Sequence, residues 1–226
     1  MPDLTQLLAR HGRILVLDAV SQQVQVGLQS AGSPALWTRH PDEAGRGLFL
    51  AIEELLPRAG IGLEDIGAFL FCEGPGSMLG TRTIAMALRT WIALKPRPVF
   101  RYQSLALAGI AEWRRAPRAI TFIADARRES WHVQSLDASG QLAPLERRAT
   151  AELPGGELLT PADFRVWSRP PAHVTGISYE LPRLFDAAGD VLSFEPVDQP
   201  DVLATHAPDY RKWSAQPHSA ETARPR

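Results

Sequence analysis

The sequence has little cysteine and almost no net charge. Its 226 residues include a single cysteine, Cys72, and the formal net charge is −1. A lone thiol inside an apolar run is typical of a buried side chain in a reducing compartment rather than of a reactive cysteine. One cysteine also argues against a zinc site. Because the net charge is close to zero, contact with RNA would need a local basic patch or a partner protein.

Long apolar runs are missing as well. No stretch approaches the roughly 20 apolar residues that a membrane-spanning helix needs, and the first ten residues lack the apolar centre of a signal peptide. We therefore predict a cytoplasmic protein with no membrane partner. The polar residues 214–226, which include Pro217 and Pro225, are expected to form a disordered tail.

The common catalytic signatures are also absent. None of the six histidines stands four residues from another, so no helix carries a two-histidine metal site. Neither a Gly-x-Ser-x-Gly nucleophile motif nor a Walker-type phosphate loop occurs. These absences argue against a metalloprotease, a serine hydrolase and a P-loop nucleotidase. We predict no catalytic residue, no metal ligand and no cofactor.

Short apolar runs alternate with amphipathic segments in the first 102 residues, which predicts an α/β fold. Residues 14–18 form a buried strand that ends in Asp18, and residues 24–28 alternate like a half-exposed strand, so a hairpin should join the two. The other elements expected here are a helix over 42–59, a turn over 63–66, a strand over 68–72, a long helix after residue 77 and a strand over 99–102.

A second α/β unit is expected over residues 103–205, since another strand ending in Asp followed by Ala occurs at 119–125. Residues 142–156 are predicted to be irregular. The other predicted elements are a helix over 105–114 capped by Ser104, strands over 131–135, 172–175 and 191–195, and helices over 162–167 and 181–188. The remaining residues, 206–226, would return to the first unit before the tail.

The most distinctive segment is the corner between the strand at 68–72 and the long helix. Pro75 fixes its own φ angle, while Gly74 and Gly76 can adopt backbone conformations closed to other residues. Ser77 or Thr81 can cap the helix that follows. Such a corner can bind phosphate through the N–H groups at the helix start, or it can serve only as a tight structural turn. The residues favour the structural turn.

Three carboxylates lie at the carboxyl ends of predicted strands, namely Asp18, Glu73 and Asp125. The carboxyl ends of strands form the edge of an α/β sheet where ligands bind, and clustered carboxylates there could hold Mg²⁺. The alternative is that solvated strand ends simply favour polar residues.

Five arginines form a loose basic concentration in the second half of the chain. A solvated face is the simpler interpretation, and weak contact with RNA is the alternative. They are Arg114, Arg115, Arg118, Arg127 and Arg128.

In their order and spacing, four groups of residues resemble the TsaB (YeaZ) family. They are the opening strand at 14–18, the segment 63–82 with its Gly-Pro-Gly-Ser and Gly-Thr-Arg motifs, the Asp-Ala-Arg at 125–127 and the Pro-Asp-Tyr-Arg at 208–211. The resemblance spans nearly the whole chain. It implies a two-lobed, actin-like fold of the sugar kinase, heat-shock and actin superfamily, which is ribonuclease-H-like, with a smaller and degenerate second lobe.

The resemblance also implies a non-catalytic role. Proteins of this family are scaffold subunits of the machinery that makes N6-threonylcarbamoyladenosine in tRNA. They dock and activate the transferase TsaD beside the ATPase TsaE, and they meet tRNA through the complex. TsaD belongs to the glycoprotease-like (M22) group and carries a His-x-x-x-His motif, which this chain lacks.

Family membership would place the docking surface on the helices near 42–59 and 78–94. Our candidate anchors there are Phe49, Arg82, Met86 and Arg89. The same surface could pair with itself and give a homodimer.

The chain departs from the family pattern at several positions. Glu73 stands where an arginine is usual, Met78 and Leu79 replace a Phe-Thr pair, and Ala19 replaces a threonine. The segment before the first long helix, residues 41–44, is also altered. Two alternative functions remain open: an ATP-dependent kinase or ATPase that holds Mg²⁺ with Asp18 and Asp125, and a Mg²⁺-dependent, ribonuclease-H-like nuclease built on the three carboxylates.

Overall fold

The computed structural model describes residues 1–41 and 43–203, which form two β-sheets and five α-helices. The helices are α1 (Leu4–His11), α2 (Ala44–Arg58), α3 (Met78–Leu94), α4 (Ser104–Arg115) and α5 (Leu181–Ala188). Short 3₁₀ turns lie at Leu63–Asp65 and Thr150–Glu152. Among the described residues, no helix has the length and apolar character needed to cross a lipid bilayer.

The first sheet has six strands in the order β11-β5-β4-β1-β2-β3. These strands are β1 (Arg13–Asp18), β2 (Val24–Ser30), β3 (Ser33–His40), β4 (Ala68–Gly74), β5 (Val99–Gln103) and β11 (Glu195–Pro196). Strands β1, β4 and β5 are parallel, whereas β2, β3 and β11 run antiparallel to their neighbours. The antiparallel pairing of β1 with β2 confirms the predicted hairpin.

The second sheet has five strands in the order β10-β9-β6-β7-β8. They are β6 (Ile120–Asp125), β7 (Ser130–Leu136), β8 (Glu146–Ala149), β9 (Leu158–Pro161) and β10 (Val174–Ile177). The two sheets thus each combine parallel and antiparallel pairs around one central strand, β1 in the first and β6 in the second.

One apolar core joins the two sheets. It contains Leu70 of the first sheet, Phe122 of the second, Leu107 of α4 and Phe185 of α5, and each of these side chains is buried. The other face of the first sheet packs under α2 and α3 in a second core. The other face of the second sheet carries a small cluster around Trp131, against which strand and loop residues pack. The molecule therefore has helices between its sheets and on one outer face.

Several predicted elements are wrong. Residues 162–167 form a turn, a bend and irregular backbone instead of a helix, and the segment 142–156 contains β8. Ser104 is the first residue of α4 instead of its cap, since Gln103 holds the cap position. Helix α1 and strand β3 were not predicted, and β10 and β11 were predicted too early in the chain.

The boundaries 1–102 and 103–205 stay predictions. After α5 the chain returns to the first sheet at β11, and Val197 donates a backbone hydrogen bond to Val99. Residues 206–226, for which we predicted a returning segment and a disordered tail, lie outside the described residues.

Candidate functional site

The Gly-Pro-Gly corner turns the chain from β4 into α3. Gly74 and Gly76 have φ angles of 122° and 147°, which side-chain-bearing residues rarely adopt, and the Gly74–Pro75 peptide is cis. Ser77 is the N-cap of α3, and its Oγ accepts a hydrogen bond from the Gly80 N–H at 3.3 Å. The two glycines and the Ser77 cap thus fit the turn from β4 into α3.

Several polar backbone groups of this corner are bonded within the protein. The Ser77 N–H donates to the Val20 carbonyl at 2.8 Å, and the Ser104 hydroxyl donates to the Pro75 carbonyl at 2.6 Å. The corner also packs tightly, because a Cβ added at Gly80 would lie 1.9 Å from the Ala19 carbonyl oxygen. The Ser77 and Gly80 N–H groups are therefore occupied, which favours the structural turn over the phosphate cradle.

Asp18, at the end of β1, is fully buried. Its Oδ2 accepts hydrogen bonds from the Tyr102 and Tyr179 hydroxyls at 2.7 and 2.9 Å, and its Oδ1 accepts one from the Val20 N–H at 3.0 Å. Burial raises the pKa of this carboxyl above its ordinary value, and the hydrogen bonds oppose that rise. The strand end that could face a ligand is thus closed by tyrosines from both halves of the chain.

Glu73, beside the corner, is only 4% exposed. It accepts hydrogen bonds from the Arg101 guanidinium at 2.8 Å and from the Gln103 amide at 3.1 Å. Burial raises the pKa of Glu73, while Gln103 and Arg101 act in the opposite direction. Arg101 also pairs with Glu195 at 2.7 Å, so Glu73 helps to hold β11 on the first sheet.

Asp125 belongs to the second sheet and has other partners. Its carboxylate accepts backbone hydrogen bonds from Ser168, Arg127 and Trp167. Burial alone would raise the pKa of Asp125, but these N–H groups outweigh it and hold the pKa below its ordinary value.

The three carboxylates at the strand ends are therefore bound into three separate sets of partners. Within the described ranges, no three His, Cys, Asp or Glu side chains form a group that could hold a metal ion. The structure thus binds Asp18, Glu73 and Asp125 to separate partners, whereas the nuclease alternative would bring all three around one metal ion.

The outer faces of α2 and α3 carry large exposed apolar side chains. Phe49 of α2 is 50% exposed, and Met86 of α3 is 60% exposed. Met78 and Leu79 continue this surface at the start of α3, with 53% and 71% exposure. Arg82 is exposed on the same helix. We call these five residues the α2–α3 surface.

The fourth predicted anchor, Arg89, is used within the chain. Its Nε donates to the Pro200 carbonyl at 2.7 Å, and its Nη2 lies 3.0 Å from the Asp201 carboxylate. The structure thus places Phe49, Arg82 and Met86 outward and ties Arg89 to the segment that follows β11. Met78 and Leu79 were not among the predicted anchors, although the sequence marked both as departures from the family pattern.

No protein-family model matches the chain, and no curated protein shows significant similarity to it. Solved structures do match. A protein described as uncharacterised with similarity to the peptidase YeaZ from Pseudomonas aeruginosa has a TM-score of 0.63 at 20% identity, over 79% of this chain and 90% of that one. YeaZ from Pseudomonas aeruginosa has a TM-score of 0.62 at 18% identity, over 79% and 91%.

The chain has the YeaZ fold. At this level of identity the likeness establishes the fold and nothing further. It confirms the predicted α/β architecture, which the structure builds on two sheets.

Within this YeaZ fold, two residues of the buried network were not predicted from the sequence. Tyr102 and Tyr179 stand 84 and 161 positions from Asp18, whose carboxylate they bind. No local pattern identifies such partners, because only the packing of both halves brings them together.

Proposed function

We propose that this protein is a non-catalytic scaffold subunit in the biosynthesis of N6-threonylcarbamoyladenosine in tRNA, and that it docks and activates a TsaD homologue. The observation that carries the proposal is the exposed apolar α2–α3 surface on a chain with the YeaZ fold. A TsaE-type ATPase would belong to the same assembly, and tRNA would be met through the complex in the cytoplasm.

The chemistry of the α2–α3 surface supports a protein partner. Phe49 and Met86 expose apolar area whose burial is worth about 25 cal/mol per Å². Aromatic, methionine and arginine side chains are enriched at interfaces, and a few of them usually dominate the binding energy. Arg82 supplies a cation beside the two apolar anchors. A second copy of the chain could use the same surface in the absence of the partner.

The hydrogen bonds at the carboxyl ends of β1 and β4 support the non-catalytic part of the proposal. Asp18 is covered by Tyr102 and Tyr179, and the Ser77 N–H is bonded to Val20. A phosphate or a metal ion would have to displace these buried hydrogen bonds, each of which is costly to leave unmade. Activity is therefore expected only in the complex with the transferase.

The decisive experiment is co-purification with the TsaD homologue of the same genome, followed by a tRNA modification assay. We expect Phe49→Asp and Met86→Asp each to weaken the complex by more than about tenfold, because a charge would be buried among apolar anchors. Val191→Asp is the matched control, since Val191 is similarly exposed at 51% but follows α5.

Two results would contradict the proposal. Modification of tRNA at an equal rate without this chain would remove the scaffold role. A complex that tolerates Phe49→Asp and Met86→Asp as well as it tolerates Val191→Asp would remove the docking surface.

A further inference from the structure

A second exposed surface lies on the other sheet, around Trp167. This tryptophan is 64% exposed, and the Arg127 guanidinium lies 5.3 Å from the centre of its ring. Arg128 and Arg169 are exposed on the same two loops. We call these four residues the Trp167 platform. None of them belongs to the α2–α3 surface.

The platform is held in place from below. Asp125 accepts the N–H groups of Arg127, Trp167 and Ser168, and the Ser168 hydroxyl lies 3.1 Å from the same carboxylate. One carboxylate at the sheet edge thus joins the loop after β6 to the segment before β10. The residue that the sequence offered as a metal ligand therefore fastens two loops together.

Further contacts fix the arginine-bearing loop. The side chain of Arg147, on β8, donates to the Ser130 hydroxyl at 2.8 Å and to the Ala126 carbonyl at 3.0 Å. The three residues between them, Arg127, Arg128 and Glu129, have φ angles of 63°, 54° and 52°. Such left-handed conformations are unfavourable for residues with side chains and persist only when their surroundings enforce them.

The charges of the platform are largely uncompensated. Arg127, Arg128 and Arg169 form no ion pair within the part of the chain that the structure describes, and the same holds for the neighbouring Arg165. The oxygens of Asp125 are occupied by N–H groups, and Glu129, which is exposed on the same loop, accepts a hydrogen bond from the Arg169 N–H at 3.4 Å. The surface therefore combines an accessible aromatic ring with several cations and one exposed carboxylate.

We propose that the Trp167 platform binds a single-stranded segment of nucleic acid, with a base stacked on the indole of Trp167 and with phosphates bound by Arg127, Arg128 and Arg169. Stacking on aromatic rings and neutralisation of phosphates by arginines are the two contacts that single strands use. An acidic protein surface would satisfy the cations but would leave the flat ring without a matching face. The net charge of −1 confines any such binding to a local patch of this kind.

The test is fluorescence anisotropy of the full chain with a labelled single-stranded 12-nucleotide RNA at two salt concentrations. We expect Trp167→Ala to weaken binding roughly 5- to 150-fold, the range for loss of one stacked base, and Trp167→Phe to restore most of it. Arg128→Glu should weaken binding and lower the slope against salt by about one or more. Arg10→Glu, which changes an exposed arginine on α1, is the control for net charge.

The outcomes separate the possibilities. A DNA strand of equal sequence that binds as well supports contacts to bases and phosphates alone, whereas a preference for RNA supports an additional contact to the 2′-hydroxyl. The proposal is overturned if the protein fails to bind either strand at low salt, if a phosphopeptide binds while both strands fail, or if Trp167→Ala and Arg10→Glu have equal effects. The inference is independent of the proposed docking function, because Phe49→Asp should leave this binding unchanged.

Discussion

At the residue scale, the central feature is the buried carboxylate of Asp18. Its Oδ2 accepts hydrogen bonds from two tyrosine hydroxyls, those of Tyr102 in β5 and Tyr179 before α5. The thiol of Cys72 lies close enough to interact with this group, and burial raises the pKa of that thiol well above its ordinary value. These residues form a closed polar network inside the core, as expected for buried polar groups that must satisfy one another.

The raised pKa of Asp18 predicts a pH dependence of stability. Because the folded state holds this proton more tightly than the unfolded chain does, the group favours folding below its ordinary pKa, near 4. That contribution decreases as the pH rises through the folded-state pKa. The asparagine in Asp18→Asn would have no proton to lose, so the stability of this variant should not show this decrease. The free energy of unfolding of the variant minus that of the wild type should therefore increase as the pH rises from 4.

Urea denaturation of both proteins between pH 4 and 8 measures this difference. Glu53→Gln, an exposed change on α2, serves as the control because it leaves the network intact. A difference between Asp18→Asn and the wild type that stays constant across this range would contradict the prediction.

The outcome for the three strand-end carboxylates shows what residue patterns can and cannot predict. Their positions follow from the apolar runs before them, and the structure places Asp18, Glu73 and Asp125 at the ends of β1, β4 and β6. Their roles depend on partners far away in the chain, such as Tyr179 for Asp18 and Trp167 for Asp125. Sequence spacing therefore predicted the location of these groups but could not predict their chemistry.

At the element scale, the position of α3 is set by close contact with the loop after β1. Gly80, in the first turn of α3, has no room for a side chain because Ala19 lies against it. Gly45, in the first turn of α2, faces open space, since a Cβ added there would have no atom of the surrounding protein within 4 Å. The two glycines occupy similar places in neighbouring helices but have opposite surroundings.

These surroundings predict opposite effects of one added methyl group. Gly80→Ala should lower the free energy of unfolding by about 1–3 kcal/mol, since the backbone must move to relieve the overlap, and the shift of α3 should also weaken partner docking. Gly45→Ala should be neutral or stabilising by less than about 1 kcal/mol. Urea denaturation and the co-purification assay measure both effects, and equal stability of the two variants would disprove the role of Gly80.

The elements that were predicted correctly have strong local patterns, and those that were missed do not. Helices α2 and α3 have a regular apolar face over the first sheet. Strand β3 was missed because Pro34 and mixed polarity obscure its pattern, which an edge strand tolerates. The segment 162–167 has apolar residues at helical spacing, but Phe164 packs against Tyr179 and the Trp167 N–H bonds to Asp125 instead of continuing a helix.

At the scale of the whole molecule, the two sheets share one apolar core. Helices α4 and α5 lie between them, and Leu107 and Phe185 contribute to the same cluster as residues of both sheets. The Asp18–Tyr179 hydrogen bond adds a polar link between the halves. Neither sheet would keep a complete core if the other unfolded, so the halves should unfold together despite their separate hydrogen-bonded ladders.

This coupling can be tested far from the shared core. Leu88 is fully buried between α3 and the outer face of the first sheet, in the cluster that contains no residue of the second sheet. Leu88→Ala should cost roughly 2–5 kcal/mol of unfolding free energy. If the molecule unfolds as one unit, amide hydrogen exchange in β6 and β7 should lose protection by the same free energy as exchange in β1 and β4. Unchanged protection in β6 and β7 would mean that the second sheet unfolds independently. An equal loss of protection in both sheets would mean that the stability of the α2–α3 surface depends on the stability of the entire molecule.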